Sequence, residues 1–238
     1  MSRIIDFHTH ILPGIDDGSS SSKESVAMLE MEKAQGIKCV VATPHFYPHK
    51  DTPEHFLNRR KRAEERLRSA IQGNADLPQL IVGAEVFFFS GISNSDAITE
   101  LTIGKNRYIL IEMGAPPWTD HVYCELQELC VRHDMIPIIA HIDRYITPFQ
   151  THGILRRLSE LPVLVQANSS FFLRRSTRAM ALRMLRNDQI HLLGSDCHNL
   201  SSRSPNLGDA LNVIKNSLGQ DAVERICNYQ RMVLVENE

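Results

Sequence analysis

Asp6-Phe7-His8-Thr9-His10 ends an apolar run that begins at Arg3, and Ile11-Leu12-Pro13-Gly14-Ile15-Asp16-Asp17-Gly18 follows it. The run Arg3-Phe7 reads as a buried strand. Because strand side chains alternate faces, His8 and His10 leave it on the same side, where two imidazoles can share a metal ion. An HxH pair alone also arises by chance. Further apolar runs rich in Ile, Val and Leu recur at Ile37-Ala42, Leu80-Ala84, Tyr108-Met113, Ile136-Ala140, Val163-Ala167 and His191-Gly194, and most of them end beside a side chain able to bind metal.

Those side chains are His45 after Ala42-Thr43-Pro44, Glu85 after Val82-Gly83-Ala84, Glu112 after Ile109-Leu110-Ile111, His141 after Ile138-Ile139-Ala140, and Asp196 with His198 after Gly194-Ser195. Between the runs lie amphipathic stretches at Ser21-Gln35, Pro53-Gln72, Asp120-His133, Thr151-Leu158, Ser176-Asn187 and Pro205-Ser217, which read as helices. Strand and helix alternating without hairpin signals predict a parallel α/β architecture, and a barrel or an open sheet both satisfy the pattern. In either, the C-terminal strand ends share one face, so residues far apart in sequence converge there.

A single carboxylate at a strand end can be a cap or a salt-bridge partner. Several histidines and carboxylates arriving on one face are better explained by a metal centre. Asp17, on the loop after the first strand, can add an oxygen, while Asp16 can cap the turn. The donors exceed one ion's needs. Mixed imidazole and carboxylate ligands without thiolate suit two or three ions of Mn²⁺, Fe²⁺ or Zn²⁺.

At 238 residues the chain fits one domain, residues 1-238, with no linker or internal repeat, and Ser19-Ser22 reads as a helix N-cap leading into Lys23-Glu24. Hydrophobic residues at 42% and charged residues at 23% exclude disordered and fibrous classes. A net charge of -2 gives no electrostatic case for nucleic acid. The absence of a long apolar run, and of a basic start with an apolar stretch in residues 1-12, predicts no membrane insertion and a cytoplasmic location. Cys39, Cys124, Cys130, Cys197 and Cys227 are odd in number and scattered, as reduced thiols are. Cys124 and Cys130 have neither zinc nor redox spacing, and the Arg-rich stretches Arg59-Arg68 and Arg174-Arg186 read as solvated helix faces.

Taken in order, His8-Thr9-His10, His45, Glu85, Glu112, His141 and Ser195-Asp196-Cys197-His198 resemble the polymerase and histidinol phosphatase (PHP) superfamily. The stretch Asp6-Gly18, Ile139-Ala140-His141-Ile142-Asp143-Arg144-Tyr145, Gln166-Ala167-Asn168-Ser169-Ser170 and Ser195-Leu200 resemble, more narrowly, the manganese-dependent protein tyrosine phosphatases of Gram-positive capsular polysaccharide systems. The resemblance runs from Ile5 to about Pro205. It implies a distorted (β/α)7 barrel, a trinuclear metal centre with Mn²⁺, and a phosphotyrosine protein as partner, a capsule-system tyrosine kinase. By motif, His8, His10, Glu85 and Asp196 would hold one ion, Glu85 would bridge to a second held with Glu112 and His141, and Asp17, His45 and His198 would hold the third. Cys197 stands where relatives often carry Met, and Pro44-His45-Phe46-Tyr47-Pro48 replaces a more basic stretch, a change that bears on substrate preference.

The chemistry so implied is direct attack by a metal-activated water, without a phosphoenzyme. Arg144 and Arg203 lie just beyond His141 and His198 and read as phosphate clamps, since a guanidinium fork matches phosphate oxygens. His45 and Asp17 are candidates for the general acid. Three other functions compete. Cys197-His198-Asn199-Leu200-Ser201-Ser202-Arg203-Ser204 fits the Cys-x5-Arg-Ser pattern of cysteine-dependent phosphatases, but without the glycines that curl such a loop around phosphate. A small-molecule phosphatase acting on histidinol phosphate would use the same ligands, and a non-catalytic metal-binding module would show gaps among them.

Overall fold

A computed structural model describes residues 4–146 and 151–234, so Arg3, the expected start of the first strand, lies outside the described residues. Every paired strand is parallel: β1 (Ile5–Thr9), β2 (Cys39–Ala42), β3 (His45–Phe46), β4 (Gln79–Val82), β5 (Glu85–Phe87), β6 (Tyr108–Glu112), β7 (Ile136–Ile139), β8 (Leu164–Asn168) and β9 (Leu192–Gly194). One ladder runs β1-β2-β4 and the other β3-β5-β6-β7-β8-β9. β2 with β3, and β4 with β5, are single barrel staves broken in the middle. The breaks fall at Thr43-Pro44, where proline has no N–H for the ladder, and at Gly83-Ala84, where a Cβ on Gly83 would sit 3.2 Å from the Ile103 backbone.

The ring closes between β1 and the segment after β9. The Asp196 amide donates to His8 O at 2.8 Å and the His10 amide to Cys197 O at 2.9 Å. The alternation of strand and helix has therefore curled into the expected distorted (β/α)7 barrel.

Inward rows carry apolar side chains low in the barrel and metal-competent ones high. Ile5, Phe7, Val41, Leu110, Ile138 and Leu192 belong to one buried cluster inside the ring, while Val40, Ala42, Ile111 and Leu193 pack outward with Met28, Leu29 and Leu126 from the surrounding helices. Each such side chain contributes roughly 1.5–3 kcal/mol when fully buried. β1 departs from strict alternation: Asp6 pairs with Val40 but Thr9 with Ala42, so β1 carries one extra residue, a bulge. With Phe7 in the inner cluster, the bulge turns His8 and then His10 inward as well.

The helices are α1 (Ser22–Ala34), α2 (Pro53–Ala70), α3 (Asp120–His133), α4 (Thr151–Ser159), α5 (Ser169–Leu173), α6 (Arg178–Arg186), α7 (Leu207–Leu218) and α8 (Gln220–Leu234). The Ser21 hydroxyl accepts from the Glu24 amide at 3.3 Å and caps α1, as the serine run predicts. Thr52 does the same for α2, with Pro53 at its first turn. α5 and α8 were not among the expected helices. α8 buries Ala222, Val223, Ile226 and Val233 at helical spacing, and Gln230 bonds both the amide and the carbonyl of Ile5 at the base of β1.

The Arg59-Arg68 stretch is only partly a solvated face. Arg59 donates to Ile15 O, and Arg66 to Pro13 O at 2.6 Å, so α2 grips the β1–α1 loop that carries Asp16 and Asp17. No helix among the described residues is long and apolar enough to cross a membrane.

Candidate metal centre

All nine residues expected as ligands meet at the C-terminal mouth of the barrel. His8 Nε2 lies 3.1 Å from His10 Nε2, 3.2 Å from Glu85 Oε2 and 3.6 Å from Asp196 Oδ1. His10 Nε2 lies 3.3 Å from Glu85 Oε2 and 3.4 Å from Asp196 Oδ1, so these four converge on one point. Glu85 turns its other oxygen, Oε1, to His141 Nε2 at 2.8 Å, and Glu112 Oε1 is 3.7 Å from the same nitrogen. Asp17 Oδ1 lies 3.4 Å from His45 Nε2 and 3.5 Å from His198 Nε2.

The three groupings interlock more closely than the motifs imply. His45 presents Nδ1 to Glu85 at 2.8 Å and to Glu112 at 3.9 Å while its Nε2 faces Asp17, so it borders the second and third groups. His10 belongs with Asp17, His45 and His198 as well as with His8 and Glu85.

This donor set fits metal ions. His45 Nδ1, Glu85 Oε2, Glu112 Oε2 and His198 Nε2 are buried without a hydrogen-bond partner, and buried polar atoms are normally satisfied. Several lone pairs aimed at a shared space, close together but not bonded to one another, are what a cation needs.

The electrostatics agree. Burial opposes charge on Glu85 and Asp196, yet the surrounding histidines outweigh it and hold both carboxyls well below the usual range. Burial likewise opposes protonation of His8 and His10. For His8 the carboxylates of Glu85 and Asp196 prevail, and for His10 those of Asp16, Asp196 and Glu85, so both rings are raised. The pocket demands positive charge that protons supply when nothing else does. His198 differs: burial and neighbouring His10 push it down to about 4, which keeps its ring neutral at neutral pH.

Two of the expected ligands sit on strained backbone. His141 (φ 30) and Asp196 (φ 55) are left-handed without being glycine, each costing about 1–2 kcal/mol. Surrounding bonds hold them there, among them the His141 amide to Gln166 Oε1 at 2.6 Å. Gly194 has the opposite role: a Cβ there would fall 2.4 Å from His8 Cβ, so only glycine lets the last strand approach the first at this level.

A supporting set was not foreseen as part of the site. Gln166 Oε1 also faces His8 Nδ1 at 3.4 Å, leaving Nε2 toward the cluster. Asn168 Nδ2 donates to Asp196 Oδ2 at 2.9 Å. Asp16 accepts from the Gly18 amide, capping the turn as anticipated, and also pairs with His10 Nδ1 at 2.8 Å. The signal was present in the buried polar pair Gln166 and Asn168, two apart on an otherwise apolar strand.

Arg144 and Arg203 both reach the cluster. Arg144 bonds Asp196 Oδ2 and lies 3.7 Å from Glu112, and Arg203 donates to Asp196 Oδ1 at 2.7 Å. Cys197 does not join them. Its thiol is fully buried, faces Glu32 Oε1 of α1, and is raised well above the ordinary thiol range by burial and by the carboxyls of Glu32 and Asp6. A nucleophilic thiolate needs the reverse setting, which removes the cysteine-phosphatase reading. All five cysteines are free.

A family model described as capsular polysaccharide synthesis, CpsB/CapC, matches residues 4–236. The chain belongs to the CpsB/CapC family. The tyrosine-protein phosphatase CpsB of Streptococcus pneumoniae is 28% identical over 98% of this chain and 99% of that protein. The tyrosine-protein phosphatase YwqE of Bacillus subtilis is 28% identical over 92% of this chain and 86% of its own length. Among solved structures, one described with YwqE and CpsB as unique metal-dependent tyrosine phosphatases superimposes with a TM-score of 0.85 at 25% identity, covering 99% of this chain and 95% of that one. Membership in CpsB/CapC thus spans the whole barrel and every residue of the cluster.

Proposed function

We propose that this protein is a metal-dependent phosphatase that hydrolyses phosphotyrosine in protein substrates, and that its partner is a capsule-system tyrosine kinase. The observation that carries this reading is the nine-residue cluster of imidazoles and carboxylates at the barrel mouth, flanked by two guanidinium groups, in a chain of the CpsB/CapC family. Free cysteines throughout accord with a cytoplasmic setting.

His8, His10, Glu85 and Asp196 would hold one ion, Glu85, Glu112 and His141 a second, and Asp17, His45 and His198 a third. Nitrogen and carboxylate donors without sulfur suit Mn²⁺, Fe²⁺ or Zn²⁺, and the resemblance to manganese-dependent phosphatases puts Mn²⁺ first. When bound, such ions acidify a water and neutralise phosphoryl charge. Arg144 and Arg203 grip the remaining phosphate oxygens and orient phosphorus for in-line attack. His45 turns both ring nitrogens into the cluster, so Asp17 is the better placed of the two acid candidates. Its Oδ1 faces His45 and His198 and its side chain is 66% exposed, so its second oxygen can orient a water that gives its proton to the departing phenolate.

The competing substrate is histidinol phosphate, for which the same centre would serve. A panel of phosphotyrosyl peptide and histidinol phosphate with Mn²⁺-loaded protein separates the two. Turnover of the peptide at the higher kcat/KM supports the proposal, and preference for histidinol phosphate overturns it.

A further inference from the structure

A phosphoryl group held over the cluster leaves the rest of its substrate, the aromatic ring, to be placed. The segment Pro44-His45-Phe46-Tyr47-Pro48 borders the centre through His45, and His45 and Tyr47 face the space beside it. A cavity of about 410 Å³ opens there, lined among others by Asp17, His45, Tyr47, Lys50 and Arg59. Its floor is Asp17 and His45, two members of the metal-competent cluster.

Tyr47 is the one phenol or phenyl ring among the residues lining this cavity, and it is held in place. The Tyr47 ring stacks on His45 with centroids 5.0 Å apart and planes at 27°, and it packs on Phe87 at 5.7 Å. Phe87 pairs with Glu112 in the sheet and follows Glu85 on the same short strand, so it is anchored to the backbone that presents two carboxylates of the centre. The Lys50 ammonium sits 4.6 Å from the Tyr47 centroid and restrains the ring further. Tyr47 and Phe87 are both half-buried, and Tyr47 faces the cavity.

We propose that Tyr47, backed by Phe87, forms an aryl-binding wall that selects aryl phosphates over alkyl phosphates at this centre. The inference rests on the phosphotyrosine reading above and adds the residues that recognise the ring. A rigid aromatic surface next to the phosphoryl site gives a phenyl ring offset or edge contacts. The short aliphatic arm of phosphoserine has no π-face with which to use that surface.

The experiment uses full-length Mn²⁺-loaded protein, with Tyr47→Leu, Tyr47→Phe and Phe87→Ala beside the wild type. Two quantities are read: KM for a phosphotyrosyl peptide, and the inhibition constant of inorganic phosphate, which has no ring. Tyr47→Leu and Phe87→Ala are expected to raise KM about tenfold while leaving phosphate inhibition unchanged, and Tyr47→Phe to restore the wild-type KM. An unchanged KM in both Tyr47→Leu and Phe87→Ala overturns the aryl wall and leaves the phosphatase reading standing. So does a KM rise matched by equal weakening of phosphate inhibition, because that marks damage to the centre. Wild-type protein that does not cleave the peptide at all overturns both.

Discussion

Arg203 donates to Asp196 Oδ1 at 2.7 Å, and that oxygen is the one facing the Nε2 atoms of both His8 and His10. The guanidinium assigned to phosphate and the carboxylate assigned to metal thus hold one another when neither ligand intervenes. Asp196 would hold the cation, and Arg203 would present its fork to phosphate oxygens. Arg203→Ala should lower kcat/KM for a phosphotyrosyl peptide by roughly a hundredfold, with Mn²⁺ stoichiometry retained. Arg203→Lys should recover little, since a point charge cannot make the bidentate contact. Loss of metal in Arg203→Ala would reassign the residue to holding Asp196.

Gln166 joins His8 and His141 through one oxygen, spanning two of the metal-competent groups. Gln166→Leu keeps the volume and removes the bonds. Mn²⁺ affinity measured by calorimetry should fall about 10–100-fold. An unchanged affinity would show that packing alone orients the two rings.

Gly194→Ala places a methyl where His8 Cβ already is, at 2.4 Å. The last and first strands must part, which costs about 1–3 kcal/mol and spoils the seam that positions His8 and Asp196. The variant should show a lower Tm and reduced metal content. A protein with wild-type Tm and full metal content would mean that the seam is looser than its hydrogen bonds suggest.

Cys197→Ala tests the nature of the nucleophile. The thiol is sealed behind the centre against Glu32, so its removal should leave most of the phosphotyrosyl hydrolysis intact at a stability cost of order 1 kcal/mol. Abolished turnover with metal still bound would favour a covalent cysteine route.

The pH dependence has a defined sign. In the metal-free protein His8 and His10 are raised above 6.5, so their contribution to stability is complete below that value and is lost as pH rises through their folded values. Glu85 and Asp196 are lowered, so their contribution is present above 4.5 and 3.8 respectively and is lost as pH falls through their folded values. Metal must displace the histidine protons, so Mn²⁺ affinity should increase as pH rises above 6.5, with proton release visible as a buffer-dependent heat. The Tm gap between loaded and metal-free protein should widen over the same range. A gap that narrows with rising pH would contradict the assignment of His8 and His10.

The barrel and its candidate ligands were legible because apolar strand runs end in metal-competent side chains, as Leu110 is followed two residues on by Glu112 and His8 by His10, and a strand's period of two survives in the sequence. Features set by contacts across the chain were not legible. The bulge in β1 is defined by its register against β2, and the left-handed turns at His141 and Asp196 depend on bonds from distant strands. Arg59 and Arg66 look like surface charges until the fold brings Ile15 and Pro13 carbonyls to them. α8 carries Ala222, Val223, Ile226 and Val233 at helical spacing, yet its place in the fold is set by a contact distant in sequence, Gln230 with Ile5. The position of Cys197 shows the converse, since a catalytic pattern in sequence became a buried thiol once the chain was folded.

The central claim is that the imidazole and carboxylate cluster works by holding metal. The most direct measurement is phosphotyrosyl hydrolysis by protein of known metal content, before chelation, after it, and after return of Mn²⁺. Two or three ions per chain, activity lost on chelation and regained with Mn²⁺ is the predicted result. Metal-free protein that hydrolyses the same peptide at an undiminished rate would contradict it.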